Sequence, residues 1–366
     1  MTSTSYPQNA KDWRGLFIKD MVYSLAANQG INLTLWAPPG DIPASVNNSC
    51  LDKESYWLAD LIEQGGIAHI LRKGKGLERV TKPLRLLWLL RQVYFRYPHI
   101  DLFHVNWLQN ILPLWGTKKP VLVTVLGSDL GLLRLPGMSY ALRQVLKQRR
   151  SIIAPNADWM MFELEKHFGD ISQILPIPFG INAKWYQLSR NWQTQKTKKW
   201  IVVSRVTENK IGSLFDWGGT IFQQGEHELH LFGPMQEQLK IPNWVHYHGA
   251  THPKELQDNW FPQAAGLITL SKHNEGRPQV ILEAMAAGLP VLASPLPAHT
   301  SLLTHKKTGW LANSEAEFHA GIYWLAEPQN NEELSYQAHN WVKNNIGTWA
   351  DCAQRYLTAY RQLLRN

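Results

Sequence analysis

Cysteine is nearly absent from this chain. Cys50 and Cys352 stand far apart and form neither a disulfide framework nor a metal-ligand cluster, which points to a reducing, cytoplasmic setting. No two aspartates stand at i, i+2, the spacing of a short acidic motif that holds a divalent metal against a diphosphate. A phosphate bound here is expected to be balanced by cations and amides, without a metal. No apolar run approaches the roughly 18 to 20 residues of a membrane span. The most apolar segment, "LRLLWLLRQVYF" from Leu84, is broken by Arg85 and Arg91. The start, "MTSTSYPQNAKDW", lacks the basic flank and apolar core of a secretory signal. Histidine is plentiful, and His246, His248 and His252 crowd one stretch. No cysteine or carboxylate stands near them at ligand spacing, so a structural role is expected there.

What is present begins with length. The 366 residues exceed one ordinary domain, so two domains are expected. The net charge of +8 is uneven. Residues 1–183 hold 20 Lys and Arg against 14 Asp and Glu; the remainder holds 17 against 15. Between Arg72 and Arg96 eight basic residues face only Glu78. Such a segment is either a solvated helix face or a surface for anionic lipid or a phosphorylated substrate. No nucleic-acid motif accompanies it, so nucleic acid is not an expected partner.

Along the first half, helix-like and strand-like segments alternate. "FIKDMVYSLAANQG" has helical spacing, "INLTLWAP" reads as a strand, "KPLRLLWLLRQVYFRYP" as a helix, and "IDLFHVNW" and "PVLVTVLGSD" as strands. Residues 183–199 are polar and aperiodic and read as a linker. The pattern then restarts with "WIVVSRV", "ELHLFGP", "NWVHYHG", "GLITLS" and "PVLAS". Two doubly wound α/β domains are expected, at 1–182 and 200–345, each a mostly parallel sheet covered on both faces. Residues 346–366 form a last helix that could cross back to the first domain. The expected ligand position is a central cleft between facing sheets, at the carboxyl ends of their strands. An opening strand is missing: only "MTSTS" precedes the turn region "SYPQNAKDWRGLF". The first strand is then very short or absent, or the chain as written does not start at its natural residue.

The candidate chemistry sits in two stretches. "VVSRVTENK" places Arg205 and Lys210 at the exit of a buried strand. Both can converge on one anion such as a diphosphate, Arg as a planar fork and Lys as a point charge; two surface cations in a loop fit the same spacing. "SKHNEGRPQVILEAMAAGLPVLAS" places Glu275 before a helix that begins near Pro278, and Glu283 inside it. The helix start attracts anions through its free amides. Glu283 can accept hydrogen bonds from a ribose diol. Glu275 either accepts from a sugar beyond the diphosphate or complements the helix dipole.

These stretches resemble family 4 of the retaining glycosyltransferases, which have the GT-B fold of two Rossmann-like domains. "EGRPQVILEAMAAGLPVLAS" is similar to that family's E-x7-E signature, "SRVTENK" to its Arg/Lys pair, and "LPIPFGIN" to the segment closing its first domain. The resemblance runs over nearly the whole chain. It implies a catalytic group of Glu275, Arg205 and Lys210, with Glu283 on the nucleotide ribose and the two cations on the diphosphate. It implies that Gly15, in the first glycine turn, lets backbone approach the phosphates, and that Gly276 and Arg277 lie against the donor sugar. The implied reaction moves a sugar from a UDP- or GDP-type donor to a glycan or lipid-linked acceptor, retaining its anomeric configuration and using no cofactor or metal. The implied setting is surface polysaccharide synthesis in the cytoplasm, peripheral at the inner membrane face. Leu126 stands where the family often has histidine, leaving Asp129 as an acceptor-side candidate, and Asn182 stands where aspartate is usual. These departures fit two other readings: an inactive relative that binds nucleotide sugar or glycan, or a sugar-nucleotide epimerase on the same fold. Arg277 is a cation beside the implied sugar and fits a negatively charged donor or acceptor.

Overall fold

A computed structural model describes residues 1–9, 12, 14–74, 76–273 and 275–365. Of Ala68, Arg72 and Lys73 only the backbone is described, so these two cations and Lys75 of the basic segment lie outside the described side chains. The chain divides into two compact units, Met1–Phe179 with Trp349–Asn366, and Gly180–Thr348.

In the first unit the strands are β1 (Thr34–Leu35), β2 (Asn47–Asn48), β3 (Phe103–Asn106), β4 (Val121–Val125), β5 (Ser151–Pro155) and β6 (Gln173–Ile174). All pairings are parallel. The opening strand exists, reduced to residues 1–3. Thr2 bridges Trp36 on one side and Val105 on the other. Ser3 N donates to Trp36 O and Thr2 N to His104 O, both at 2.9 Å. These bonds join the β1–β2 pair to the β3–β6 sheet, so the missing strand of the sequence reading is present and very short. Its turn leads into α1 (Leu16–Ala26). Gly15 stands at φ +73°, and a Cβ there would lie 2.7 Å from Ser5 Oγ and Tyr6 N, so only glycine fits.

Helix α2 (Glu78–Arg96) starts four residues before Lys82, where the helical segment of the sequence begins. Pro83 therefore sits inside the helix, where its missing N–H removes one backbone bond. Leu86, Leu89, Leu90, Val93 and Tyr94 bury its inner face. Arg96 turns inward onto the buried Glu54. The last helix packs on this unit. Within it, His104 bonds Tyr360 OH at 2.6 Å and Thr124 Oγ1 at 2.7 Å, and Thr124 Oγ1 meets Tyr356 OH at 3.1 Å. Burial holds His104 well below its ordinary pKa, so this network is neutral.

The second unit has six parallel strands: β7 (Lys198–Val203), β8 (His227–Phe232), β9 (Val245–Gly249), β10 (Ala264–Thr269), β11 (Val291–Ala293) and β12 (Trp310–Leu311). Their order is β12-β11-β10-β7-β8-β9. The chain adds β8 and β9 on one side of β7, then returns to add β10 on the other. The order therefore reverses between β7 and β10, the switch point at which open α/β sheets bind ligands.

The stretch expected as a linker is built into this unit. It forms two short turns, Ala183–Gln187 and Trp192–Thr194, whose Trp185 and Trp192 are buried. Arg190 lies between them. Its guanidinium donates to Ala264 O and Gly288 O, at 2.9 and 2.7 Å, and to Asn331 Oδ1 at 2.9 Å. Burial lowers its pKa to about 9, so it stays charged at neutral pH. Replacing Arg190 by Met strands these acceptors in the interior, and charged hydrogen bonds contribute about 1.5–3 kcal/mol each. Arg190→Met is expected to destabilise the second unit by about 3 kcal/mol or more, read as a lowered midpoint in urea unfolding followed by tryptophan fluorescence.

Candidate functional site

Three loops leave the carboxyl edge of the second sheet next to one another because β10, β7 and β8 are neighbours. The loop after β7 carries Arg205 and Lys210. Thr207 caps the short helix Glu208–Ile211, accepting from Lys210 N at 3.3 Å. Gly212 ends it at φ +60°, and a Cβ there would fall 1.8 Å from Leu270 O. This close approach lets Asn209 O accept from Lys272 N at 2.7 Å, so the loops after β7 and β10 are joined through their backbones. Gly233, after β8, plays the same part toward β7: a Cβ there would lie 1.8 Å from Ser204 O.

The joined loops bring two of the sequence-marked residues into contact. Lys210 Nζ donates to Glu275 Oε2 at 2.7 Å. Their side chains are 11% and 24% exposed, so the pair is screened far less than a surface pair would be. Arg205 Nη1 donates to Gln236 Oε1 at 3.3 Å, which ties it to the loop after β8. Gly276 is buried and Glu275 half-buried. Arg277 turns its guanidinium inward, with Nε and Nη1 buried.

The helix that follows is α3 (Gln279–Ala286), with Pro278 as its N-cap residue. No side chain caps its first turn and no acidic residue lies in it. Gln279 Nε2 fixes its start to Gly180 O at 2.8 Å. Glu283 is the fifth helical residue and is half-buried. Gly288, at φ +64°, and the Leu289 N to Ala284 O bond stop the helix. Gly15 and Asp129 belong to the first unit. Asp129 is buried, and its two oxygens accept from Leu108 N and Leu126 N at 3.1 and 3.0 Å. Burial raises its pKa to about 6. Its visible work is to hold the loops after β3 and β4 together.

Sequence reasoning missed a buried histidine that feels the charges of Glu275 and Lys210. His299 is wholly buried and donates from Nδ1 to Ser294 O at 2.7 Å. Ser294 Oγ donates to Ser271 O at 2.6 Å. Burial lowers the His299 pKa, with Glu275 opposing and Lys210 adding to that shift, so the ring is neutral beside the pair. The signal in the sequence was a lone histidine in "SPLPAHT", which no spacing rule singles out.

The histidines of β8 and β9 form a separate cluster. His230 Nε2 donates to Glu228 Oε2 at 3.2 Å, and its Nδ1 lies 3.0 Å from His248 Nε2. His246 and His248 stack on His230 at 4.9 and 5.3 Å with rings near parallel, and Trp260 packs at 4.8 Å. Among the described residues no group of three or more His, Cys, Asp or Glu could hold a metal ion.

The comparisons with known proteins fit this geometry. Residues 198–327 match the family described as Glycosyl transferases group 1. An uncharacterized glycosyltransferase of Haemophilus influenzae is 31% identical over 125 residues, a third of each chain. The structure of sucrose-phosphate synthase from Thermosynechococcus elongatus superimposes with a TM-score of 0.71 over 95% of this chain and 92% of that one, at 16% identity. HepE from Anabaena, solved with UDP and glucose, gives 0.66 over 99% and 98%, at 15% identity. The chain has the GT-B fold and carries a glycosyltransferase domain. The sequence matches span a third or less of the length of the curated relatives. The family match covers the loops bearing Arg205, Lys210 and Glu275 and the helix bearing Glu283.

The histidine cluster of this domain is expected to make it acid-sensitive. Burial lowers the His230 pKa from 6.5 to about 4, with Glu228 opposing and His246 and His248 adding to the shift. Between those values the unfolded chain binds a proton that the folded one refuses, so the contribution is whole above pH 6.5 and lost as pH falls toward 4. A shift of this size corresponds to roughly 3 kcal/mol. Urea midpoints measured from pH 7.5 to 4.5 are expected to fall, and His230→Phe is expected to flatten part of that fall.

Proposed function

We propose that the protein is a retaining glycosyltransferase that takes a sugar from a nucleotide diphosphate donor of UDP or GDP type and passes it to a glycan or lipid-linked acceptor. The observation that carries this reading is the meeting of Lys210 Nζ and Glu275 Oε2 at 2.7 Å, on loops from the two strands that flank the switch point. A cation held at this edge, with Arg205 on the same loop, is placed for the charge that develops on a departing diphosphate. The amides at the start of α3 add to that field. Glu283, half-buried in α3, accepts from the ribose diol.

In the proposed reaction the bond between the anomeric carbon and the donor phosphate oxygen breaks, and a bond from the acceptor oxygen forms on the same face. The leaving phosphate takes the acceptor proton, so no covalent enzyme intermediate and no metal is required. Glu275 orients the sugar near its anomeric centre once the diphosphate draws Lys210 toward itself. Gly276 and Arg277 border the sugar. Asp129 supports the acceptor-side loops through its amide bonds. The proposed setting is polysaccharide assembly on the cytoplasmic side of a membrane.

Thermal unfolding with UDP, GDP and their sugars tests the reading. The true donor, at about 100-fold above its Kd, is expected to stabilise the protein by about 2.7 kcal/mol. Arg205→Ala and Lys210→Ala are expected to lower kcat by about 10²–10³-fold, the effect of removing a charge-stabilising donor. Glu283→Gln is expected mainly to weaken nucleotide binding in calorimetry. No stabilisation by any nucleotide would reject the proposal. Stabilisation without turnover, unchanged in both cation variants, would favour the inactive donor-binding relative.

A further inference from the structure

Helix α2 is apolar on two opposite faces. Its inner face is buried in the first unit. Leu77, at its N-cap, Val80, Leu84, Trp88 and Phe95 recur at spacings of three, four, four and seven. At about 100° per residue these positions fall within one arc of about 80°. All five are exposed, between 49% and 76%. The stripe runs about 27 Å at 1.5 Å per residue. Trp115, 52% exposed, extends it: Arg91 donates to Pro113 O at 3.0 Å and to Trp115 O, and its guanidinium lies 4.1 Å from the Phe95 ring.

Cations border the stripe. Arg85, exposed, stands beside it with its guanidinium 5.2 Å from the Trp57 ring, Arg91 lies within it, and Arg79 is exposed about 140° round the helix. Glu78 is the helix's one acidic residue, and Lys82 pairs with it. A merely solvated face carries no row of Leu, Trp and Phe of this length, because exposed contiguous apolar surface is costly in water. No helix among the described residues is long and apolar enough to cross a membrane. A helix with this stripe can instead lie in the plane of a bilayer, with apolar side chains at the acyl boundary and guanidinium groups among phosphates. Tryptophan suits that boundary, since its ring is apolar and its N–H polar.

We propose that the outer face of α2, with Trp115, docks the protein on the surface of an anionic lipid bilayer. The charge complementarity of Arg85 and Arg91 selects anionic lipid over an apolar protein groove. The proposal is independent of the donor reading, because it concerns lipid binding without nucleotide.

Sedimentation with vesicles tests it. The full chain is expected to bind phosphatidylcholine vesicles containing about 30 mol% phosphatidylglycerol, and to bind pure phosphatidylcholine far less. Arg85→Ser is expected to weaken binding about fivefold, the effect of one cation near an anionic surface. Trp88→Asp and Leu84→Asp are expected to weaken it about tenfold or more, with unfolding temperatures unchanged because both side chains face solvent. Absence of binding to the anionic vesicles, or binding indifferent to both aspartate variants, would overturn the proposal. A dimer in size-exclusion chromatography that both variants convert to monomer would also overturn it, assigning the stripe to a second copy of the chain. Stabilisation by nucleotide in the same variants is read separately, so failure of one proposal does not pass for failure of the other.

Discussion

The close passage of two loops at the edge of the second sheet governs the candidate site. Gly212 allows the chain leaving β7 to press against Leu270 O, at a separation no Cβ tolerates. That contact sets the Asn209 O to Lys272 N bond, and the bond sets the meeting of Lys210 with Glu275. The parallel register puts both loops at one edge, and the switch point leaves a crevice beside them. Remove the close approach and the same residues would still stand on the same strands, but their charged ends would have no shared position.

The first unit depends on a similar economy. Its opening strand is three residues long, two of them the polar Thr2 and Ser3, yet it joins the two parts of the sheet. Thr2 and Ser3 succeed there because backbone partners stand on both sides and Tyr94 OH meets Thr2 Oγ1 at 3.2 Å. A strand needs satisfied backbone groups more than it needs apolar side chains. The cost of burying polar residues is offset by hydrogen bonds that become available only when α2, β1 and β3 are in place.

Much of the architecture was legible in the sequence. β-branched runs such as "PVLVTV" and "WIVVS" read as buried strands because their neighbours on both faces are helices. The signature with Glu275 and Glu283, and the pair Arg205 and Lys210, were legible because loop chemistry leaves short, regular spacings. Residues 183–199 were not legible. They are polar and aperiodic, and nothing local marks Arg190 as a residue that ties three distant carbonyl and amide groups together. His299 was equally hidden, since a buried neutral histidine has no spacing signature.

The sequence by itself determined the alternation of strands and helices, the positions of the cations and carboxylates along the chain, and the excess of positive charge between residues 72 and 96. Each follows from local periodicity or composition, which the chain carries before it folds. Only the tertiary structure decided which of those groups meet. It paired Lys210 with Glu275, turned Arg96 inward to Glu54, and left the stripe from Leu77 to Phe95 facing outward. The reason is that contact between distant residues depends on strand order and loop approach, and these are set by packing of the whole unit.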